Sequence, residues 1–534
     1  MERVSSDEGV LTYLQLSGTT PLHEAVQTKS LADITEMVRQ QYSMFTNLQD
    51  ERGDTPLHIA ARRSDTAIAE LLIRNGADVA ASMENRNKET PLSIALEKGN
   101  EDLIQLIVSQ ILSTDHAETI AQLVEQALVM CDHEKLKRLL PHYKGAMIDE
   151  GLRVVVERGN SECATLLLEY GANPRQTFRD GKSSFCLALD NNCIPILTLF
   201  LEQGWSKALD DLYHRKTLFH HAVSKGDTGV VALFLRHDQG HNINRAAITG
   251  ETPLLTAVRK NNLLMVALLV EHGVDVNLSD NGLWTPLHLA SRLGLDEIVT
   301  FLLEHGAVPS ILLGEHRGWT PVHHAARYGS EAILRILLSY QEGKDAIPRR
   351  TTDHQRSTAL QMAIGRGNLE IVRIVAEALP VNTKDLPNGY GNTALHRASS
   401  LKNLRAVQLV LPFCRDDINL PNDERNTPLS LAVYFSSLPV VAFLLENGAA
   451  DSVNIKNANG YPPLLLLVRD CLDWDVTEQD IMEIGRLLLE NGADYSAVTP
   501  KGETFLQLLR DLSPGIVFRY FQNLVKKMQQ HALE

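Results

Sequence analysis

The stretch Thr285-Pro286-Leu287-His288 recurs almost unchanged along this chain and decides its fold. The same four residue types stand at Thr20-Pro21-Leu22-His23 and Thr55-Pro56-Leu57-His58, and altered copies begin at Thr90, Thr252, Thr320, Thr393 and Thr427. The copies lie about 35 residues apart, and a period of this size indicates a repeat architecture. The chain is therefore predicted to be a solenoid, in which similar repeats stack and share one extended core.

Taking the Thr position as the origin, fifteen repeats can be placed. They begin at Thr20, Thr55, Thr90, Gln122, Glu150, Ser183, Thr217, Thr252, Thr285, Thr320, Thr358, Thr393, Thr427, Pro462 and Thr504. The Thr is predicted to accept hydrogen bonds from the first turn of a helix, and the Pro after it has no amide to leave unpaired. Glycines such as Gly294, Gly329 and Gly306 are predicted to end the helices. Each repeat thus reads as helix, turn, helix and loop.

These repeats resemble the ankyrin repeat from about residue 15 to about residue 530. The resemblance implies an all-α fold, an α-solenoid of about fifteen stacked helix-turn-helix repeats with projecting hairpin loops and a concave face. It also implies that the His of the motif bridges the Thr and the backbone of neighbouring loops. His221 and His324, one step later, are expected to point toward the concave face. The match is weakest at Gln122 and Glu150, where only Leu pairs keep the register.

The register divides the chain into five predicted segments. These are an N-terminal cap segment (1–19), repeats 1–3 (20–114), degenerate repeats 4–6 (115–216), repeats 7–14 (217–503) and a last repeat with a C-terminal capping helix (504–534). One continuous array is expected, with a joint between two arrays in the degenerate stretch as the alternative. An acidic insertion at 469–480 carries one Trp and is interpreted as a tolerated surface loop or as a binding loop.

Composition narrows the classes of function and the compartment. Lys and Arg total 51 against 66 Asp and Glu, a net charge of −15, which argues against generic nucleic-acid binding. The six cysteines are scattered and form no CxxC pair, so neither a disulfide framework nor a zinc site is expected. No apolar run approaches the ~20 residues of a membrane span, and the first residues do not resemble a signal peptide. The predicted location is cytoplasmic, with the nucleus, or a host cell for an effector, as alternatives.

No motif for catalysis, a cofactor or a metal is recognised. Gly181-Lys182-Ser183 resembles the end of a phosphate-binding loop, but position 176, where that loop needs Gly, is Gln. The periodic histidines are interpreted as structural. The chain is predicted not to be an enzyme and to need no cofactor or metal, although a divergent catalytic unit within 115–215 is kept as an alternative.

The candidate partner-binding residues follow from the repeat register. In ankyrin-like arrays, partners usually contact the residues that flank the Thr and those seven and eight positions after it. The repeats of Thr252 to Thr320 place a basic and aromatic set there, here called the central stripe: Arg259, Lys260, Trp284, Arg292, Trp319, Arg327 and Tyr328. A less charged C-terminal stripe consists of Tyr390, Tyr434, Phe435 and Tyr461. Trp, Tyr and Arg dominate interface energetics, whereas the alternative is that the indoles only pack on their neighbours.

The predicted function is a non-enzymatic scaffold or adaptor that binds a partner protein or peptide along the concave face. The positive charge of the central stripe favours an acidic segment in that partner. The alternative is a microbial or viral effector module that engages a host protein through the same array. No nucleic acid and no membrane insertion are expected, and the sequence makes no prediction of the oligomeric state.

Overall fold

A computed structural model describes the chain over residues 18–39, 42–79, 83–113, 117–143, 145–213, 216–238, 241–379, 386–469, 477–512 and 515–531. Helices dominate these residues, as the repeat pattern predicts. The chain divides into two compact bodies, an N-terminal body (Met1–Tyr213) and a C-terminal body (His214–Glu534).

The N-terminal body consists of consecutive helix pairs. Its helices are α1 (Pro21–Thr28), α2 (Leu31–Arg39), α3 (Pro56–Arg63), α4 (Thr66–Arg74), α5 (Pro91–Lys98), α6 (Glu101–Ser113), α7 (Ala117–Met130), α8 (His133–Leu139), α9 (Ala146–Arg158), α10 (Ser161–Glu169), α11 (Ser184–Asp190) and α12 (Ile194–Glu202). Short 3-10 segments lie at Tyr42–Phe45, Leu140–His142 and Trp205–Asp210, and strand β1 (Leu212–Tyr213) follows them. Helix pairs therefore also form between 117 and 202, where the motif is degenerate. The buried Leu139, Leu140, Leu167 and Leu168 explain how apolar burial keeps the register there.

The C-terminal body begins with strand β2 (Lys216–Thr217) and continues as helix pairs. Its helices are α13 (Leu218–Lys225), α14 (Thr228–Asp238), α15 (Pro253–Arg259), α16 (Leu263–Glu271), α17 (Pro286–Leu293), α18 (Asp296–Glu304), α19 (Pro321–Tyr328), α20 (Glu331–Ser339), α21 (Gln341–Ala346), α22 (Ala359–Arg366), α23 (Leu369–Glu377), α24 (Ala394–Ser400), α25 (Leu404–Val410), α26 (Pro428–Tyr434), α27 (Leu438–Glu446), α28 (Pro463–Arg469), α29 (Glu478–Glu490), α30 (Phe505–Leu512) and α31 (Ile516–His531). Short 3-10 segments lie at Val308–Ile311, Leu411–Phe413, Arg415–Asp417 and Ala449–Ser452. Helix α21 occupies the longer repeat that begins at Thr320.

The repeated motif fixes where the first helix of each repeat begins and ends. In α17, the Thr285 hydroxyl accepts a hydrogen bond from the His288 amide, and Pro286 stands at the first helical position. The helix ends at Gly294, whose φ of 77° is left-handed and therefore suits a residue without a Cβ. The second helix, α18, is followed by Gly306 with a φ of 101°. The helix ends predicted from the glycines are confirmed in this repeat.

The hairpin loops between repeats join one another through backbone hydrogen bonds. The Thr352 amide donates to the Arg317 carbonyl at 2.7 Å, and the Gly389 amide donates to the Gln355 carbonyl at 2.8 Å. The His316 amide makes the equivalent bond to the Gly282 carbonyl at 3.2 Å. These bonds hold adjacent loops in register, so residues at equivalent positions of consecutive loops lie next to each other.

The last helix, α31, is amphipathic. Val517 and Phe521 are buried, and α31 packs against α29 and α30. Its other face carries the exposed Lys526 and Lys527. One buried and one wet face is the arrangement that a capping helix of a repeat stack requires.

Candidate functional site

In the repeats that carry the motif histidine, this residue links the repeat to the next one. In the repeat of Thr285, the Thr hydroxyl lies 2.7 Å from His288 Nδ1, and His288 Nε2 lies 3.1 Å from the Trp319 carbonyl. Because a carbonyl only accepts, Nε2 carries the proton and Nδ1 accepts from the Thr hydroxyl. Burial lowers the pKa of His288 to about 4, although its hydrogen bonds to carbonyls oppose the shift. His23, His58, His220, His323 and His396 form equivalent bridges. These histidines are therefore structural, as the resemblance implies.

Two loop and helix positions face each other within several repeats. The residue just before the Thr, here called the pre-Thr position, lies beside the residue seven positions after the Thr, here called the seventh position. Glu251 accepts from Arg259 at 3.1 Å, and Asp190 accepts from Lys182 at 2.6 Å. Arg62 and Asp54 form the same pair at 3.0 Å. The charge pairs at these positions thus satisfy each other within a repeat.

The pairing changes in the repeats of Thr285 and Thr320, where the pre-Thr residue is Trp. The Arg292 guanidinium lies over the Trp284 ring at 5.2 Å and over the Tyr328 ring at 5.5 Å. The Trp319 indole instead donates through Nε1 to Asp353 Oδ2 at 3.0 Å, in the next loop. No carboxylate described in the structure forms an ion pair with Arg292 or Arg327. The two arginines therefore keep charges that no described carboxylate neutralises at close range.

His324 lies beneath this aromatic cluster. Its ring centroid is 4.6 Å from that of Trp284, 5.2 Å from that of Trp319 and 6.1 Å from that of Tyr328. The residue is only 2% exposed, and neither ring nitrogen has a hydrogen-bond partner among the residues described. Burial, followed by the nearby His288, lowers the pKa of His324 to about 2, so its imidazole is neutral at physiological pH. His324 supports the two indoles from below and does not present a polar edge to solvent.

The structure brings together part of the central stripe. Arg292 contacts both Trp284 and Tyr328, and Trp319 joins them through the His324 ring. Arg259 is 53% exposed at its side chain and pairs with Glu251, and Lys260 is exposed. In the residues that the structure covers, no ring contact or ion pair connects Arg259 or Lys260 to the aromatic cluster. Sequence reasoning missed the role of His324 and the ion pair of Arg259, although the eight-residue separation of Glu251 and Arg259 signals the pair.

The C-terminal stripe occupies separate places. Tyr390 stands on a hairpin loop and is 53% exposed. Tyr434 and Phe435 meet edge to face at 5.0 Å, and the Arg469 guanidinium lies 4.4 Å from the centre of the Tyr461 ring. These four residues do not form one cluster comparable to that around His324.

The predicted insertion at 469–480 lies mostly outside the described residues, because 470–476 are not among them. At its described end, the Thr477 hydroxyl accepts from the Asp480 amide at 3.1 Å and caps α29. At its start, Arg469 is the last residue of α28, and its guanidinium lies over the Tyr461 ring.

A surface cavity of about 460 Å³ lies within the stretch considered for a divergent catalytic unit, lined in part by Arg175, Ser183 and Asp211. Arg175 forms two hydrogen bonds to Asp211, at 2.8 and 2.6 Å. The Ser183 hydroxyl accepts from the Cys186 amide at 3.2 Å, so it is a helix cap without an adjacent general base. The polar groups named here are thus used in holding the loop and helix in place.

In the part of the chain that the structure describes, no group of three or more His, Cys, Asp or Glu side chains is arranged to hold a metal ion. No helix in that described part combines the length and the apolar character needed to cross a bilayer.

Comparison with known proteins gives a family match along most of the chain. The family described as "Ankyrin repeats (3 copies)" matches residues 22–120, 152–247, 219–312, 310–385, 346–422, 373–457 and 395–499. The chain is 26% identical over 258 residues to human transient receptor potential cation channel subfamily A member 1, which is 47% of this chain and 19% of that protein. It is 34% identical over 146 residues to the B-cell lymphoma 3 protein homolog of Mus musculus, 27% of this chain and 32% of the relative.

A viral protein is also similar. The putative ankyrin repeat protein FPV014 of Fowlpox virus (strain NVSL) is 32% identical over 152 residues, which is 28% of this chain and 31% of the viral protein. The chain therefore covers a third or less of the length of each of these three relatives. Their names describe different kinds of protein, so the likeness identifies the repeats rather than a shared partner.

Proposed function

Since the chain belongs to the ankyrin-repeat family, we propose that it is a non-enzymatic scaffold or adaptor that holds a partner protein or peptide along the concave face expected of such repeats. Ankyrin repeats support a role in protein–protein interaction. The regular helix pairs and the row of hairpin loops offer a long surface. A cytoplasmic or nuclear location is part of this proposal.

The cluster of Trp284, Arg292, Trp319 and Tyr328 is the observation that carries the proposal. These side chains come from two adjacent repeats, and the contacts through His324 hold them in one place. Arg292 and Tyr328 are exposed, and both indoles are partly exposed. Large aromatic residues and Arg that are fixed before binding lose little conformational entropy on contact with a partner. The cluster therefore has the composition and the rigidity of an interface centre.

The second candidate function is an effector module of a microbe or virus that engages a host protein. The similarity to the fowlpox protein favours it, because that relative is a viral ankyrin-repeat protein by name. The same surface would serve both functions. Delivery of the chain into host cells in a secretion or infection assay supports the effector, and its absence there favours the scaffold.

Affinity purification followed by mass spectrometry tests the scaffold proposal. The wild-type chain is compared with a variant that carries Ala at Arg259, Arg292, Trp319 and Arg327. A control variant carries Ala at the exposed Glu297, Glu304, Glu331 and Arg335, on the second helices of the repeats of Thr285 and Thr320. Loss of a partner from the first variant alone supports the proposed face. Equal capture by all three proteins rejects it.

A further inference from the structure

The pairs at the pre-Thr and seventh positions identify the chemistry of the partner. We propose that Arg292 and Arg327 bind two carboxylates of an acidic segment of another protein, because Trp284 and Trp319 stand at the position from which an acidic residue neutralises the arginine in other repeats. This inference rests on the proposed scaffold function and specifies which chemical groups the partner presents.

The comparison among repeats of the same chain supports this step. Where the seventh residue is Arg62 or Arg259, the pre-Thr residue is Asp54 or Glu251, and the two side chains form an ion pair. Burial raises the pKa of Glu251, but the hydrogen bonds and charges of Lys216 and Arg259 outweigh it and leave that pKa lowered. The carboxylate and the arginine thus stabilise each other at these positions. In the next two repeats the seventh residue is still an arginine, Arg292 or Arg327, but the pre-Thr residue is Trp instead of Asp or Glu.

Arg292 is prepared to receive a carboxylate. Its guanidinium lies against the faces of Trp284 and Tyr328, so the ring faces hold the plane while the side chain stays exposed. The N–H groups of a guanidinium lie at the edge of that plane, and a carboxylate can accept two of them side by side. A cationic partner group is disfavoured, because Arg292 already covers the electron-rich ring faces.

The repeat geometry sets the spacing of the two carboxylates. Arg292 and Arg327 hold the same position on α17 and α19, which pack side by side. Packed helix axes lie 8–10 Å apart, so the two guanidinium groups are expected to start from points roughly 10 Å apart. In a polyproline II segment, residues three apart lie on one side and are separated by about 9 Å. We therefore expect acidic residues at positions i and i+3 of an extended segment.

The test uses a fluorescein-labelled peptide of Gly and Ser that carries two Glu three residues apart, with two Gln in a control peptide. Fluorescence anisotropy of the full chain should show the Glu peptide binding at least about tenfold more tightly than the Gln peptide. The difference should shrink between about 50 mM and about 300 mM salt, because the contacts are partly exposed charges. Equal binding of the two peptides would overturn the inference.

Substitution of the pre-Thr residue separates charge from loss of the indole. Trp284→Glu restores the carboxylate found at Glu251, whereas Trp284→Gln removes the same ring without adding charge. We expect Trp284→Glu to bind the Glu peptide about tenfold more weakly than Trp284→Gln, because the new carboxylate occupies Arg292. Equal weakening by both variants would show that only the ring matters and would reject the carboxylate site.

Removal of the arginines provides the direct measurement. Arg292→Gln and Arg327→Gln should each weaken the Glu peptide about tenfold. Arg335→Gln is the matched control, because it removes the same charge from the second helix of the repeat, where Arg335 already pairs with Glu370 at 2.8 Å. Loss of affinity in Arg335→Gln equal to that in Arg292→Gln would mean that net charge alone attracts the peptide, which overturns the inference.

Two other occupants are outcomes of the same experiment. A peptide of residues 469–480 presents the chain's own acidic insertion. If it binds more tightly than the Glu peptide and the chain also self-associates, the partner is a second copy of this chain. Tighter binding of a single-stranded oligonucleotide would replace it by nucleic acid. If the Glu peptide fails while the four-alanine variant still loses a captured partner, the scaffold proposal stands and only the carboxylate inference falls. If the peptide binds as expected while the captured partner is retained, the acidic site stands and the scaffold assignment of that partner falls.

Discussion

The Arg292 guanidinium lies 5.2 Å from the centre of the Trp284 ring, although the two residues come from a helix end and a hairpin loop. The same guanidinium lies 5.5 Å from the Tyr328 ring of the next repeat. Arg292 thereby connects two repeats through ring faces, whereas Arg259 in the preceding repeat is held by the carboxylate of Glu251. The replacement of a carboxylate by an indole converts an internal ion pair into an exposed aromatic and cationic surface.

A double-mutant cycle measures this contact. Trp284→Ala, Arg292→Ala and the double variant should give a coupling energy of about 0.5–1 kcal/mol in chemical unfolding, because the contact is partly exposed. The cycle of Trp319 and Arg327 is the control, because no ring contact joins that pair in the described residues. Coupling energies of similar size in both cycles would contradict a specific contact between Trp284 and Arg292.

The bridging histidines predict a loss of stability in mild acid. Burial lowers the pKa of His288, His323 and His396 from the ordinary value of 6.5 to about 4. Because the unfolded chain binds protons more readily than the folded chain, the stabilisation is fully present above pH 6.5 and is lost as the pH falls toward 4. Each imidazole contributes on the order of 1–3 kcal/mol to this loss. Urea unfolding between pH 7 and pH 4 measures it.

A Gln substitution tests this explanation without removing the bridge. In the repeat of Thr358, Gln361 takes the place of the histidine and donates to the Leu386 carbonyl at 2.8 Å. His323→Gln should therefore reduce the dependence of stability on pH between 6.5 and 4. His272→Gln, at an exposed position, is the control. An unchanged pH dependence in His323→Gln would show that another group causes the acid sensitivity.

The Arg62 network predicts unequal costs for two arginine deletions. The Asp54 side chain is 2% exposed, and burial raises its pKa, but the hydrogen bonds from Arg62 and Asn85 outweigh burial and leave the pKa lowered. Arg62→Ala leaves that buried carboxylate without its cation and should cost about 2–3 kcal/mol. Arg74→Ala breaks an exposed pair with Glu70 and should cost less than about 0.5 kcal/mol. Equal costs in chemical unfolding would contradict the network.

Substitution of two helical glycines by Ala should change the stability of the chain in opposite directions. A Cβ at Gly485 would overlap the ring of the buried Phe521, so Gly485→Ala should destabilise the packing of α29 against α31 by about 1–3 kcal/mol. At Gly365, the nearest atom is Nη2 of Arg397 at 3.3 Å, the end of an exposed and flexible side chain. Gly365→Ala should therefore stabilise the chain by about 0.5–1 kcal/mol, since Ala favours the helix. Differential scanning calorimetry of the two variants measures whether each substitution lowers or raises the stability of the chain.

The sequence predicts well what depends on neighbours along the chain. Thr285 caps α17 and His288 bridges to the next loop because the four-residue motif specifies both. The burial of His324 could not be predicted in this way. It depends on two indoles from separate loops that meet over α19, and a linear register gives the position of His324 without the direction of those rings.

The partner-binding residues show the same limit. The register places Arg259 and Arg292 at equivalent positions and therefore predicts equivalent roles for them. Their actual environments differ because Glu251 precedes one repeat and Trp284 the other. The prediction needs the pair of residues eight apart rather than each arginine by itself.

The imidazole bridges have an evolutionary consequence. His23 and His58 each reach a carbonyl 31 residues further along, on Asp54 and Glu89. Excision or duplication of a whole period places every remaining imidazole opposite another loop carbonyl of the same kind, so no buried donor is orphaned. A gene for such a chain can lengthen or shorten by complete modules while each junction stays chemically satisfied, whereas an excision of half a module would leave polar groups stranded at the scar.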